Sequence, residues 1–506
     1  HLIASPSYTS SGSNYLLVSN SDRIDAHVPP GTYDLLFTHN VTSTGNVGRY
    51  PTDPIPSSER ILRAGITIAR GASTLDVDVP SARVTGAFTV GGAALARTVP
   101  SSSVPGYSSS AVYLVARDTG VRHLISSPSY TSSGSNYLLV TNSDRIDAHV
   151  PPGTYDLLFT HNVTSTGNVG RYPTDPIPSS ERILRAGVVF TAGANTLDVD
   201  VLATRLTGAF TVNGMALART VPSSSVPGYS SSAVYLIARD TGVRHLIASP
   251  SYTSSGSNYL LVTNSDRIDA NVPPGTYDLL FTHNVTSTGN VGRYPTDPIP
   301  SSERVLRSAI SVGGTATTLD VNVNSAALTA AFAVDGAALM RTVPSSSVPG
   351  YSSSAVYLVA RDTGVRHLVA SPSYTSSGSN YLLVSNSDRI DAHVPPGTYD
   401  LLFTHNVTST GNVGRYPTDP IPSSERLLRA GVVINGGANT LDVDVPSARV
   451  TGAFSVSGAA LARTVPSSSV PGYSSSAVYL VARDTGVRHL IASPSYTSSG
   501  SNYLLV

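Results

Sequence analysis

Serine, histidine, aspartate, asparagine and tyrosine are the residues that could do chemistry in this 506-residue chain. It has no cysteine, and its 32 basic residues are all arginine. Without cysteine there is no disulfide framework, no thiol chemistry and no cysteine-based zinc site. The sequence repeats with a period of 122 residues, so every candidate recurs. Nucleophilic catalysis would need serine poised against histidine and a carboxylate, yet no Gly-x-Ser-x-Gly elbow or comparable constellation stands in the chain. His27 and His39 could form a metal pair, one on each of two strands joined by a turn. The third copy has Asn271 in place of His27, so a site built on that histidine would fail there. Asp76 and Asp78 could seed a Ca²⁺ site, but their spacing is that of the solvent face of an alternating strand, and the third copy carries Asp320 with Asn322. No catalytic residue, metal ligand or cofactor is assigned, calcium being the one ion considered. Asn40-Val41-Thr42 is a glycosylation sequon, repeated at Asn162, Asn284 and Asn406, which matters only in a cell with the machinery.

Tyrosine marks three Ser- and Pro-rich segments read as long loops: ASPSYTSSGSN, TSTGNVGRYPTDPIPSSE and RTVPSSSVPGYSSS. They place Tyr8, Tyr50 and Tyr107, then Tyr130, Tyr172 and Tyr229, among small polar residues. That is the composition of adaptable binding surfaces, since tyrosine adds contact area at low entropy cost. Contact with a neighbouring domain, a neighbouring fibre or a glycan is one reading. The other is that the loops fold back and the rings cover the domain ends.

Positioning these residues is the work of the repeat. His1, His123, His245, His367 and His489 open the same segment, HL[IV][AS]SPSYTSSGSNYLLV, without insertion or deletion. The chain thus begins and ends inside a repeat and reads as a window on a longer tandem array. A 122-residue unit is the size of a whole domain and far above the roughly 20–50 residues of a solenoid repeat. Val84, Gly86, Phe88 and Val90 alternate with Thr85, Ala87 and Thr89, and Ile24, Ala26 and Val28 with Arg23, Asp25 and His27. In ILRAGITI, Leu62, Ala64, Ile66 and Ile68 share a face. Period two with one face to bury is the pattern of half-covered antiparallel strands. Gly92, Gly214, Gly336 and Gly458 end the pairs Gly-Gly, Asn-Gly, Asp-Gly and Ser-Gly, four answers to one demand for positive φ in a tight hairpin.

Seven to nine short antiparallel strands per repeat predict an all-β chain, a tandem array of β-sandwiches. The run G-x-F-x-V-x-G-x-x-L, then PPGTYDLLF and a closing TLDVDV, resembles the transthyretin-like sandwich of carboxypeptidase regulatory-like (prealbumin-type) domains, with relatives in bacterial surface proteins. The resemblance implies that TLDVDV is a last strand and VTGAFTV a first. Boundaries then fall at 1–81 (partial), 82–203, 204–325, 326–447 and 448–506 (partial), with a boundary near Gly71 as the alternative. It brings no catalytic residues. Similar pilus domains use lysine for amide cross-links and sortase joining, and this chain has no lysine to offer.

Formal net charge is +0 and charged residues are 13% of the chain, which leaves no basic footprint for nucleic acid. No apolar run approaches the roughly 20 residues of a membrane span. The sequence therefore reads as a structural protein of an extracellular, bacterial fibre or stalk, self-associating head to tail along the fibre, with lateral fibre contacts open to it. The rival is an adhesin whose Tyr/Ser loops bind a glycan or surface. Residues 1–81 and 448–506 would expose strand edges, so either the polypeptide continues or separate chains complete one another; the duplication of residues 1–18 at 489–506 favours the first.

Overall fold

A computed structural model describes residues 1–11, 14–17, 22–41, 51–95, 98–100, 107–133, 136–139, 144–163, 173–217, 220–222, 229–255, 258–261, 266–285, 295–314, 316–339, 342–344, 351–377, 380–383, 388–406, 419–460, 464–466, 473–493, 495–499 and 502–505. Among them all regular structure is strand. The unit at 82–201 shows the plan. Its strands are β1 (Ala82–Val90), β2 (Ala93–Ala94), β3 (Thr98–Pro100), β4 (Tyr107–Ala116), β5 (Arg122–Ser126) and β6 (Ser129–Ser133). Then follow β7 (Asn136–Leu139), β8 (Arg145–Val150), β9 (Gly153–His161), β10 (Ser180–Phe190), β11 (Gly193–Thr196) and β12 (Val199–Val201).

Two sheets result. The larger runs β10-β9-β4-β6-β7-β3, with β5 also on β4. The smaller is built on β1, which pairs antiparallel with β8 and β2. The antiparallel plan has one parallel exception, for β11 and β12 both run alongside β1 in the same direction. Two segments read as loops from sequence also contribute strands. SYTSS pairs with NYLL in the β6–β7 hairpin, and TVP forms β3. Ser129–Ser133 and Thr98–Pro100 are short and carry no period-two apolar run, so alternation does not reveal them.

Alternation does place the core. Val84 and Phe88 of β1, Val112 and Leu114 of β4, Ile146 of β8, and Leu157 and Phe159 of β9 are all buried between the sheets. Each such side chain contributes about 2 kcal/mol by leaving water. The Phe88 and Phe159 rings meet at 6.0 Å. Equivalent cores span Leu206 to Val323 and Ala326 to Val445. Partners decide whether a given sequence becomes strand. Arg145–Val150 pairs with β1 and buries Ile146, whereas the identical residues 23–28 have no such partner among the described residues, are not strand, and leave Ile24 37% exposed.

Two local features shape the sheets. Between β11 and β12 the chain turns inward to bury Leu197, and its carbonyl comes so near Gly86 that a Cβ there would lie 1.9 Å away. Gly208 faces Leu319 in the same way at 2.1 Å. The third unit has Ala330 at this position, and its Leu441 N–Thr329 O bond is 3.3 Å, against 2.9 Å and 2.8 Å in the other two. The outer strand β10 carries a bulge: Tyr155 pairs with Val188 but Leu157 with Arg185. Gly187 there has φ 71 and donates its N–H to Asp156 Oδ1 at 2.8 Å, which also accepts Arg117 Nε at 2.8 Å. The bulge exposes Ala186, the one break in the shared face expected for this strand. It also interrupts a long edge that would otherwise template pairing.

Candidate functional site

The sequence candidates are dispersed. Tyr50 and Tyr172 lie outside the described residues, while Tyr8, Tyr107, Tyr130 and Tyr229 lie on strands. The turn residues Gly91 and Gly92 have φ 57 and 77, and Asn213 and Gly214 have φ 53 and 76. Gly336 and Gly458 have φ 73 and 78. His149 and His161, the second-copy equivalents of His27 and His39, belong to different sheets and have separate partners. Asp198 and Asp200, equivalent to Asp76 and Asp78, latch the closing strand to the opening one. Asp198 Oδ1 accepts Ala87 N–H at 2.9 Å, and Asp200 Oδ1 accepts Gly92 N–H and the Thr89 hydroxyl, both at 2.8 Å. Asn322 serves equally in the third copy, accepting Gly214 N–H at 2.7 Å, so the position needs an acceptor and not a charge. Among the described residues no group of three or more His, Asp or Glu could hold a metal ion.

The fold assembles a constellation that no short motif announces. His161 lies between Ser110, whose Oγ is 2.6 Å from Nδ1, and Asp175, whose Oδ2 is 3.0 Å from Nε2. With the proton on Nε2, His161 donates to Asp175 and accepts the Ser110 hydroxyl. Asn162, held at φ 49, brings its side-chain amide within 2.9 Å of the same Nε2, and the sequon residues Asn40, Asn284 and Asn406 do likewise with His39, His283 and His405. The network recurs as Ser232–His283–Asp297 and Ser354–His405–Asp419. All three members are buried, with Ser110, His161 and Asp175 at 4%, 1% and 1% exposed.

What the network holds is the segment around Pro173 and Ile177. Asp175 Oδ1 accepts Ile177 N–H at 3.0 Å, and Ile177 is fully buried. That segment is the docking point for the next repeat. Asn271 N–H donates to Pro173 O at 2.7 Å and its side-chain amide to Asp175 O at 3.0 Å. His149 N–H reaches Pro51 O at 2.8 Å, and His393 N–H reaches Pro295 O. Each joint also has an arginine hook: Arg60, Arg182 and Arg304 donate to Pro80 O, Leu202 O and Asn324 O. Tyr155, Tyr277 and Tyr399 of the following repeat are within electrostatic reach of these guanidiniums, whose pKa burial lowers. Beside them, burial and then the arginine charge push His123, His245 and His367 down to about 4. At the third joint a cavity of about 70 Å³ is lined by Glu303 and Arg304 on one side and Asp362, His367 and Tyr399 on the other.

The joint left a trace in the sequence that alternation does not read. Ser81 Oγ lies 3.1 Å from His149 Nδ1, 68 residues away. The equivalent positions hold Ala203 with Asn271 and Ser325 with His393, and the last pair does not form this bond.

No protein family and no curated protein matches the chain. Solved structures similar to it include the Bacillus anthracis TIE protein, at 7% identity over 73% of this chain and 51% of that one, with a TM-score of 0.15. A streptococcal ancillary pilin is 11% identical over 72% of this chain and 99% of its own, TM-score 0.18. A putative adhesin from Bacteroides ovatus is 9% identical over 51% and 98%, TM-score 0.20. The chain spans about half of the Bacillus protein and 26% of a Bacteroides thetaiotaomicron leucine-rich repeat protein that it also resembles. Likeness at this level carries no inference about what the chain binds or builds, and the transthyretin-like resemblance rests on the quoted residues alone.

Proposed function

We propose that the chain is a structural repeat protein, a segment of an extracellular fibre or stalk on a bacterial surface, built of sandwiches divided at 82–203, 204–325 and 326–447. The observation that carries this is the joint. At each of three junctions a backbone N–H of one sandwich donates to a proline carbonyl of the sandwich before it, and an arginine hook closes over the linker. A short linker alone leaves two domains free to swivel; a backbone bond and a half-buried arginine fix one orientation. The Ser–His–Asp network then has a structural role, holding the docking segment rigid, because a buried serine offers a substrate no approach.

Small-angle scattering of the full chain tests this. The expected profile is that of a stiff rod. Inserting Gly-Ser-Gly-Ser between Leu202 and Ala203 should bend and shorten the average shape. A native profile indistinguishable from that of the inserted chain would overturn the rod.

A further inference from the structure

On the outer face of β10 stand Glu181, Ile183 and Arg185, alternate residues pointing away from the core. Ile183 is 58% exposed, and its counterparts Ile61, Val305 and Leu427 are 57%, 52% and 54% exposed. The segment in which they lie is where the copies diverge most, and the letter at this position does change. The type never does. Two positions nearby show ordinary drift: Thr67, Val189, Ser311 and Val433 share one site, and Ala93, Met215, Ala337 and Ala459 another. A solitary exposed aliphatic residue needs no explanation; one retained as aliphatic in four diverged copies is covered by something.

The flanking charges say what covers it. Each strip reads acid, aliphatic, base: Glu59-Ile61-Arg63, Glu181-Ile183-Arg185, Glu303-Val305-Arg307 and Glu425-Leu427-Arg429. A two-fold axis across the strand at the central residue lays such a strip on a second one with glutamate facing arginine at both ends and the aliphatic side chains in contact. Side-by-side pairing in the same direction would set glutamate against glutamate. Among the described residues the glutamates meet their own sandwich in long, exposed pairs, Arg122–Glu181 at 3.6 Å, Arg244–Glu303 at 3.5 Å and Arg366–Glu425 at 3.5 Å. Arg63 and Arg307 donate to Asp76 O and Asp320 O at 3.1 Å and 2.9 Å; exposed contacts of this kind cost little to exchange. Zero net charge leaves no long-range repulsion between copies.

We propose that the occupant of this face is a second copy of the chain, running antiparallel and paired strip to strip. Repetition along the chain makes many weak contacts additive. The strip shares Glu303 with the lining of the third joint's cavity but none of the joint's backbone bonds or arginine hooks, so the inference and the rod are tested separately.

The chain has no cysteine, which makes a cross-linking test direct. Ile183→Cys with Val305→Cys, mildly oxidised in the full chain, should give a disulfide-linked dimer on a non-reducing gel. Thr241→Cys with Thr363→Cys, exposed on the hairpins between β4 and β5 in the second and third units, should give none above background. In sedimentation, replacing the four strip glutamates by arginine should weaken association at least tenfold. Adding arginine to glutamate at positions 63, 185, 307 and 429 restores a self-complementary strip and should restore association. Equal cross-linking at both cysteine pairs, or association indifferent to the glutamate replacement, would overturn the proposal, as would a doubly swapped chain that fails to recover.

Discussion

Gly208→Ala is the sharpest test of the packing argument. The new Cβ would lie 2.1 Å from Leu319 O, a backbone atom that can yield only if the closing strand moves. Ordinary contact lies near 3.4 Å or beyond, so the strand must retreat by about 1 Å. The third unit shows a smaller displacement in the same direction, since Ala330 coexists with a Leu441–Thr329 hydrogen bond of 3.3 Å where the glycine-bearing units have 2.9 Å and 2.8 Å. Overpacking costs about 1–3 kcal/mol, and a weakened hydrogen bond about 1 kcal/mol at most. Alanine returns about 0.4–1 kcal/mol by restricting the unfolded chain. The net expectation is a loss of about 1–2 kcal/mol, a fall of about 1 M in the urea midpoint of a 204–325 fragment. The reciprocal Ala330→Gly should change stability little while slowing exchange of the Leu441 amide in the full chain. Equal or higher stability of Gly208→Ala, with unchanged exchange at Leu319, would refute the close-approach argument.

Three further outcomes follow from the same coordinates. His123, His245 and His367 are neutral in the fold, with pKa near 4, while the unfolded chain takes up the proton near 6.5. Their contribution is therefore complete above about pH 6.5 and lost as pH falls toward 4, by about 3 kcal/mol per histidine, and urea midpoints at pH 7.5 and 4.5 should differ accordingly. Ala309 occupies, at φ 58, the bulge position that is glycine in the other copies, so Ala309→Gly should raise the stability of its unit by about 0.5–1 kcal/mol in a thermal melt. Asp200→Asn should be tolerated, as Asn322 is, whereas Asp200→Ala should cost about 1 kcal/mol by removing the acceptor of Gly92 N–H and the Thr89 hydroxyl, read from the denaturation midpoint.

Much of the framework is legible in the residues because local patterns encode it. Val84 and Phe88 alternate inward, Gly91-Gly92 turns, and the 122-residue period separates one core from the next. What escaped has a common cause, which is distance along the chain. Ser110 and His161 are 51 residues apart, His161 and Asp175 are 14 apart, and Ser81 and His149 are 68 apart. No window of one strand or turn contains these pairs. The strand Ser129–Ser133 escaped for another reason, since SYTSS has no apolar alternation and takes its register from backbone pairing with NYLL. Arg60, the hook of a joint, reaches Pro80 O 20 residues away, and nothing in its own strand marks it.

The parallel pairing of the first and last strands has a consequence under tension. The chain enters each sandwich at the start of β1 and leaves at the end of β12, and these neighbours run the same way. Pulling on the two ends therefore slides one strand along the other instead of peeling it away. The pairs from Gly193–Ala82 to Val201–Val90, with the Asp198 and Asp200 latches, must shear together, so a thread of such sandwiches resists extension cooperatively. Among the described residues the 204–325 unit has five such pairs against seven in each neighbour, since only Thr317 and Thr318 pair where four residues do elsewhere, so this unit gives way first and lengthens before its neighbours are stressed.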